Sequence, residues 1–195
     1  MQDIKPIETI YNGYRFRSRL EARWAVFFDA MGIVYEYEPE GLVLSNGSRY
    51  LPDFYLPQFF CYLEVKRKGL TDEERMTAGT KISDGERSGT WAGIIVFGDP
   101  KDHEAYIFCQ EYNDSSGGSY RNKVAFDIDV HTRKPILIAE GDSRDRVFLD
   151  SFGNRHQIPM LTGAWRTART AFALDAETRA RQARFEYGVT PIRKG

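Results

Sequence analysis

Three carboxylates and one lysine stand out by type and spacing. The run 59–66 reads as a strand, so Tyr62, Glu64 and Lys66 share one face while Cys61, Leu63 and Val65 share the other. A carboxylate in that position can bind a divalent cation, and a lysine two residues on can lie beside it as a donor and point charge. An ordinary ion pair on a solvent face has the same spacing. Asp53 follows Pro52 and precedes Phe54 in an otherwise apolar, aromatic run. An aspartate there is costly to bury unless it is paired or holds a metal, although a turn aspartate after proline is the plainer role. If the strand ending at Leu56 neighbours the Glu64 strand, Asp53 and Glu64 meet at the sheet edge, and two carboxylates plus water suit Mg2+. Glu21 has two readings. Ser18-Arg19-Leu20-Glu21 is a capping box in which Glu21 bonds back to the Ser18 amide; Glu21 also adjoins an apolar helical stripe and can face the sheet edge. Asp127, Asp129 and His131 alternate on one expected strand face, where an exposed polar surface is the simpler reading than a metal site.

The elements that would position these residues follow from periodicity. Leu20, Trp24, Phe27, Phe28 and Met31 recur at helical spacing and predict a helix over 18–31, with Ser18 as N-cap and Gly32 as its C-terminal stop. Extended runs are expected at 33–38, 42–44, 49–56 and 59–66, with Asn46-Gly47 as a hairpin turn and Pro52 marking a strand edge, end or bulge. Thr71-Asp72-Glu73-Glu74 is a capping box that opens a polar helix to about Ile82, and 92–97 is an almost wholly apolar strand. Residues 14–100 therefore form an α/β core with a mixed sheet. Beyond it, short strands are expected at 106–109, 124–130, 136–139 and 147–149, with a surface loop at 115–119. An arginine-rich helix follows over about 163–187. The domain reading is a core over 1–100 and a C-terminal extension over 101–195.

Composition bounds the protein class. The 195 residues carry 27 Lys+Arg against 28 Asp+Glu, with 42% hydrophobic and 14% aromatic residues, which fits a globular chain with a sizeable core and excludes a disordered one. Cys61 and Cys109 have no zinc spacing and read as buried reduced thiols, which points to a cytoplasmic setting. No apolar run is long enough to span a membrane, and neither a Walker loop nor a dinucleotide glycine pattern is present, so no nucleotide cofactor is expected. His103 and His156 lack a partner pattern and read as surface histidines. A net charge of -1 argues at first against a polyanionic partner, but the charge is patchy. Residues 95–150 carry 7 basic and 11 acidic side chains, whereas 165–195 carry 7 and 3, and Arg15, Arg17, Arg19 and Arg23 cluster near the start.

Together these residues resemble the PD-(D/E)XK nuclease superfamily. The resemblance rests on Pro52-Asp53, then Glu64-Val65-Lys66 one strand later, with Glu21 on a preceding helix. It extends through the segment 16–28 and the segment Tyr35-Glu36-Tyr37-Glu38-Pro39-Glu40, and covers about residues 11–100. These segments are similar to small endonucleases of phages and mobile elements, and in layout to transposase nuclease subunits and Holliday-junction resolvases. The resemblance implies a restriction-endonuclease-like core with a mixed central sheet flanked by helices. It further implies a Mg2+-dependent deoxyribonuclease, with Mn2+ as a substitute, working in a bacterial or phage-infected cytoplasm. Asp53 and Glu64 would bind the metal with the Val65 carbonyl, Glu21 would help ligate or orient it, and Lys66 would position water or stabilise transition-state charge. DNA would be the partner, contacted by Arg17, Arg19, Arg67, Lys68, Arg166 and Arg169. One such site cuts one strand, so a homodimer could cut two. The competing expectation is a non-catalytic DNA-binding or regulatory module that keeps the nuclease fold.

Overall fold

The computed structural model describes residues 6–84, 92–110, 119–139, 147–149, 155–157, 160–162 and 170–185. A short hairpin, β1 (Thr9–Tyr11) and β2 (Tyr14–Phe16), leads into α1 (Arg19–Met31). Ser18 caps α1 as expected, and Gly32 ends it at φ 69° with its N–H bonded to the Asp29 carbonyl. Then come β3 (Glu36–Tyr37), β4 (Leu42–Val43), β5 (Arg49–Tyr50), β6 (Phe54–Leu56) and β7 (Cys61–Lys66). The expected run 49–56 is thus two strands, broken at Pro52-Asp53, because proline has no N–H to continue the ladder. A 3-10 turn over Pro57–Phe59 delays the next strand, so β7 starts at Cys61 rather than at 59.

After β7, α2 (Asp72–Asp84) is opened by the expected capping box. Thr71 N–H donates to Glu74 Oε2 and Glu74 N–H donates to Thr71 Oγ1, which holds the Glu74 carboxyl below its ordinary range. The chain continues through β8 (Ala92–Phe97), β9 (Glu104–Gln110), β10 (Ser119–Ile128), β11 (Pro135–Ala139), β12 (Val147–Leu149), β13 (Arg155–Gln157) and β14 (Met160–Thr162) to α3 (Ala171–Gln182). The described part of the C-terminal helix is shorter than 163–187. The positions 163–169 and 186–187, and most of the expected loop 115–119, lie outside the described residues.

Eight strands form one mixed sheet in the order β14-β11-β10-β9-β8-β7-β6-β3. The β7–β8 and β11–β14 pairs are parallel and the other neighbours antiparallel. The strands β9, β10, β11 and β14, which follow position 100, extend the sheet formed by β3, β6, β7 and β8.

Helices cover both faces of this sheet. Ile94 and Val96 of β8 point into the core shared with α1 and α3, while Ile95 and Phe97 point into the smaller core under α2. That two-sided burial explains why β8 is apolar throughout. α1 is buried nearly all round, on Ala22, Ala25 and Val26 as well as on the expected stripe, because it lies between the sheet and α3. α3 faces that core with Ala173, Ala176 and Ala180, small side chains that let two helices lie close, and leaves Arg179 and Arg181 outside. α2 sits equally close to the sheet. A Cβ on Gly79 would fall 2.2 Å from the Phe108 ring, and one on Gly93 would fall 2.4 Å from Ile82. Among the described residues, no helix is long and apolar enough to cross a membrane.

Candidate active site

Asp53 is placed by the end of a ladder. Phe54 pairs with Leu63 at the start of β6, so β7 runs on past its neighbour and the Val65 N–H has no strand residue opposite. The Asp53 carboxylate takes that place, and Oδ2 accepts the Val65 N–H at 2.7 Å. The Asp53 carbonyl meanwhile accepts from Glu38 N–H at 2.9 Å, tying the β3 end to the same point. The Lys66 carbonyl accepts from Gly98 N–H on the β8 side at 2.8 Å. Backbone groups alternate sides along a strand, so the Val65 carbonyl points the other way, towards Asp53.

Glu64 and Lys66 lie on the α2-side face of β7, as their alternation requires. Glu64 is only 6% exposed; its Oε1 pairs with Lys66 Nζ and its Oε2 accepts from the Tyr50 hydroxyl at 2.8 Å. Burial, then the Glu64 charge, raises the Tyr50 phenol pKa far above its ordinary value. Glu21 combines both of its expected roles with one change. Its N–H donates to Ser18 Oγ at 3.2 Å, but its carboxylate accepts from Arg17 N–H (3.0 Å) rather than from the Ser18 amide. Ser18 Oγ (2.7 Å) and the Tyr37 hydroxyl (2.7 Å) complete its shell.

These groups act on one another. Burial pushes the Asp53 carboxyl well above the usual carboxylate range, and the Glu64 and Glu21 charges push it further. The Val65 N–H bond and the Lys66 charge oppose this and do not offset it. The sheet end therefore gathers Glu21, Asp53, Glu64 and Lys66, together with the Val65 carbonyl. Tyr37 and Tyr50, which donate to the two glutamates, were not singled out in the sequence. Their only signal there is generic: a buried carboxylate needs donors, and tyrosines flank this one at short range.

The donors are all oxygens, carboxylates and one carbonyl, the set that hard cations prefer. No group of three or more His, Cys, Asp or Glu side chains forms a ready-made metal cage among the described residues. Two carboxylates plus a carbonyl, with water completing the shell, is nonetheless a usual protein contribution to Mg2+. The residues present fit such an ion.

The expected DNA contacts are divided. Arg17 pairs with Glu38 at 2.5 Å, Lys68 pairs with Asp102 at 2.7 Å, Arg19 is half-buried at the start of α1, and Arg67 is exposed. Arg166 and Arg169 lie outside the described residues. Asp127 does not belong to an exposed polar face. It is 3% exposed, and its carboxylate holds the N-cap of α3 through Thr170 N–H (3.1 Å) and the Thr170 hydroxyl. Asp129 closes the following turn by accepting from His131 N–H (2.9 Å) and Thr132 N–H (2.7 Å). His103 is not a loose surface residue either, since its ring packs edge-on against Trp24 with centroids 5.0 Å apart. Cys61 is fully buried, as expected, and the Cys109 side chain lies outside the described residues.

The chain matches no protein-family model, and no curated protein is significantly similar to it.

Proposed function

We propose that the protein is a metal-dependent endonuclease that hydrolyses DNA phosphodiester bonds, built on a restriction-endonuclease-like core and associated with a phage or mobile element. One observation carries this reading. Asp53, Glu64 and Lys66 converge at the ends of adjacent strands, with the Asp53 carboxylate bonded to the Val65 N–H and raised by its acidic neighbours. A buried cluster of carboxylates is costly as pure structure. It becomes favourable when a cation sits among the charges.

Asp53, Glu64 and the Val65 carbonyl would hold Mg2+, or Mn2+ in its place, with Glu21 supporting from behind. When bound, the cation supplies Lewis-acid stabilisation of the negative charge that develops on the phosphoryl group. The chain's own residues do the rest. Tyr50 and Tyr37 orient the Glu64 and Glu21 carboxylates by donating to one oxygen of each. With Glu64 engaged by a bound cation, Lys66 would no longer be needed to neutralise it. Its ammonium then orients the attacking water and stabilises the phosphorane-like transition state. The Val65 N–H keeps Asp53 fixed throughout, which preserves the geometry of attack.

The test is cleavage of supercoiled plasmid in Mg2+ by the wild-type protein, Asp53→Ala and Lys66→Ala. Losing a preorganised charge of this kind lowers the rate by about 10²–10³. We expect at least that loss for Lys66→Ala, and no detectable cutting by Asp53→Ala. Equal cutting by all three proteins would refute the assignment.

A further inference from the structure

A second feature lies beside the candidate site, where three separate parts of the chain meet. Arg23 of α1, Asp99 and Lys101 after β8, and Arg181 and Arg184 at the end of α3 line an open groove of about 570 Å3. Four cations line it with one carboxylate, and that carboxylate is already engaged; Asp102, which also feels the Arg181 charge, is paired with Lys68. Asp99 Oδ2 accepts from Arg23 Nη1 at 3.0 Å, and Oδ1 accepts from Lys101 N–H at 3.1 Å. Asp99 therefore holds Arg23 and the turn in place instead of neutralising the groove. Lys101, Arg181 and Arg184 form no ion pair among the described residues, and all three side chains are exposed. The Arg23 Nε is buried with no hydrogen-bond acceptor among the described residues.

The position matters as much as the charge. Arg23 lies two residues from Glu21 on α1, and Asp99 follows Gly98, whose N–H bonds the Lys66 carbonyl. The groove thus lies on the α1–α3 side of the sheet and is joined to the end of β7 through Gly98. Arg181 lies in the last turn of α3 and Arg184 follows its C-cap Ala183, and both line the groove. A row of unpaired guanidinium and ammonium groups beside a site for phosphodiester chemistry matches the regular negative charge of a nucleic-acid backbone.

We propose that this groove between α1 and α3 carries the phosphate backbone of duplex DNA next to the cut position, with Lys101, Arg181 and Arg184 as phosphate contacts and Arg23 as the fixed wall. The proposal rests on the nuclease reading for its choice of ligand. It gives that reading a path for the substrate composed of residues far apart in the sequence.

The test measures duplex-DNA binding by the full-length protein in chelator, by fluorescence anisotropy across 50–300 mM salt. Each phosphate contact contributes a slope of about 0.9 in log K against log salt, or roughly fivefold in affinity at 0.15 M. Arg181→Ala/Arg184→Ala should therefore weaken binding about 30-fold and lower the slope by about 2, and Lys101→Ala by about fivefold and 1. Arg179→Ala, whose residue is exposed on α3 but paired with Asp175 outside the groove, should change neither. An unchanged melting curve shows that the variants are folded. If the wild type binds duplex DNA through these residues yet leaves plasmid uncut in Mg2+, the groove stands and the nuclease reading falls. If it cuts plasmid while the groove variants bind with unchanged affinity and slope, the groove proposal is overturned and the nuclease reading stands. Failure of the wild type to bind duplex DNA, or salt-dependent loss seen for RNA alone, also overturns the groove.

Discussion

Asp53 carries two demands that conflict without a cation. It must accept the Val65 N–H to close the ladder, and it must sit charged beside Glu64 and Glu21. Asparagine meets the first demand and escapes the second. Asp53→Asn should therefore remove cleavage yet raise the Tm of chelator-treated protein by roughly 2–4 °C, the change that about 1 kcal/mol makes at this chain length. The same conflict sets a pH dependence. A carboxyl whose folded pKa is raised binds more protons folded than unfolded, so its contribution is fully present below the ordinary carboxylate value and is lost as pH rises through the raised one. In chelator, wild-type stability should thus increase as pH falls towards the ordinary carboxylate range, and melting curves of Asp53→Asn should lack that gain. Glu104, held low by its bond from Arg75, has the opposite sign: its contribution is present above the ordinary glutamate value and is lost as pH falls through the lowered one. At this scale the sequence was informative for the acids and the lysine, because their types and alternation are local. It was silent on Tyr37 and Tyr50 and gave Asp127 the wrong surroundings, because their roles depend on partners 16, 14 and 43 residues away.

The helices show how far amphipathic spacing goes. The α1 stripe was legible and correct, but burial of Ala22, Ala25 and Val26 was not, since it follows from α3 packing on the opposite side. In α3 the arginines attracted attention, whereas the alanines make the contact. Ala176 is 1% exposed against the α1 core, so Ala176→Leu should overpack that interface and cost about 1–3 kcal/mol in urea unfolding. Leu174→Ala, on the outer face at 49% exposure, should stay within about 0.5 kcal/mol. Equal effects for the two would mean that the helix does not use its alanine face. Strand limits were less legible than strand existence. β10 extends back to Ser119 where 124–130 was expected, because its first half pairs with β9 and its second with β11.

For the whole molecule, the charge pattern acquires a direction. The stretch 95–150 carries more acid than base, yet Asp99 and Lys101 of that stretch line the basic groove, and Asp99 supports it. Net charge of a segment says little once its carboxylates are engaged at close range. A cation held among Asp53, Glu64 and the Val65 carbonyl would stabilise the folded state alone, by RT ln(1 + [L]/Kd), about 2.7 kcal/mol at a hundredfold excess over Kd. Mg2+ should accordingly raise the Tm of the wild type, and a thermal-shift titration should show no such rise for Asp53→Ala. An identical Mg2+ response in both proteins would place any cation elsewhere.

By itself the sequence determined the local alternation that puts Glu64 and Lys66 on one face, the caps of α1 and α2, the glycine end of α1 and the break at Pro52. All of these follow from spacings of a few residues, where backbone geometry leaves few choices. Only the tertiary structure decided that Asp53 closes the ladder at Val65 and that one eight-stranded sheet continues past residue 100. It alone also decided that Arg23 meets Arg181 and Arg184 across a groove. Those outcomes depend on which strands pair and which helices stack. Strand pairing and helix stacking are set by burial summed over the whole chain, which no short window of sequence contains.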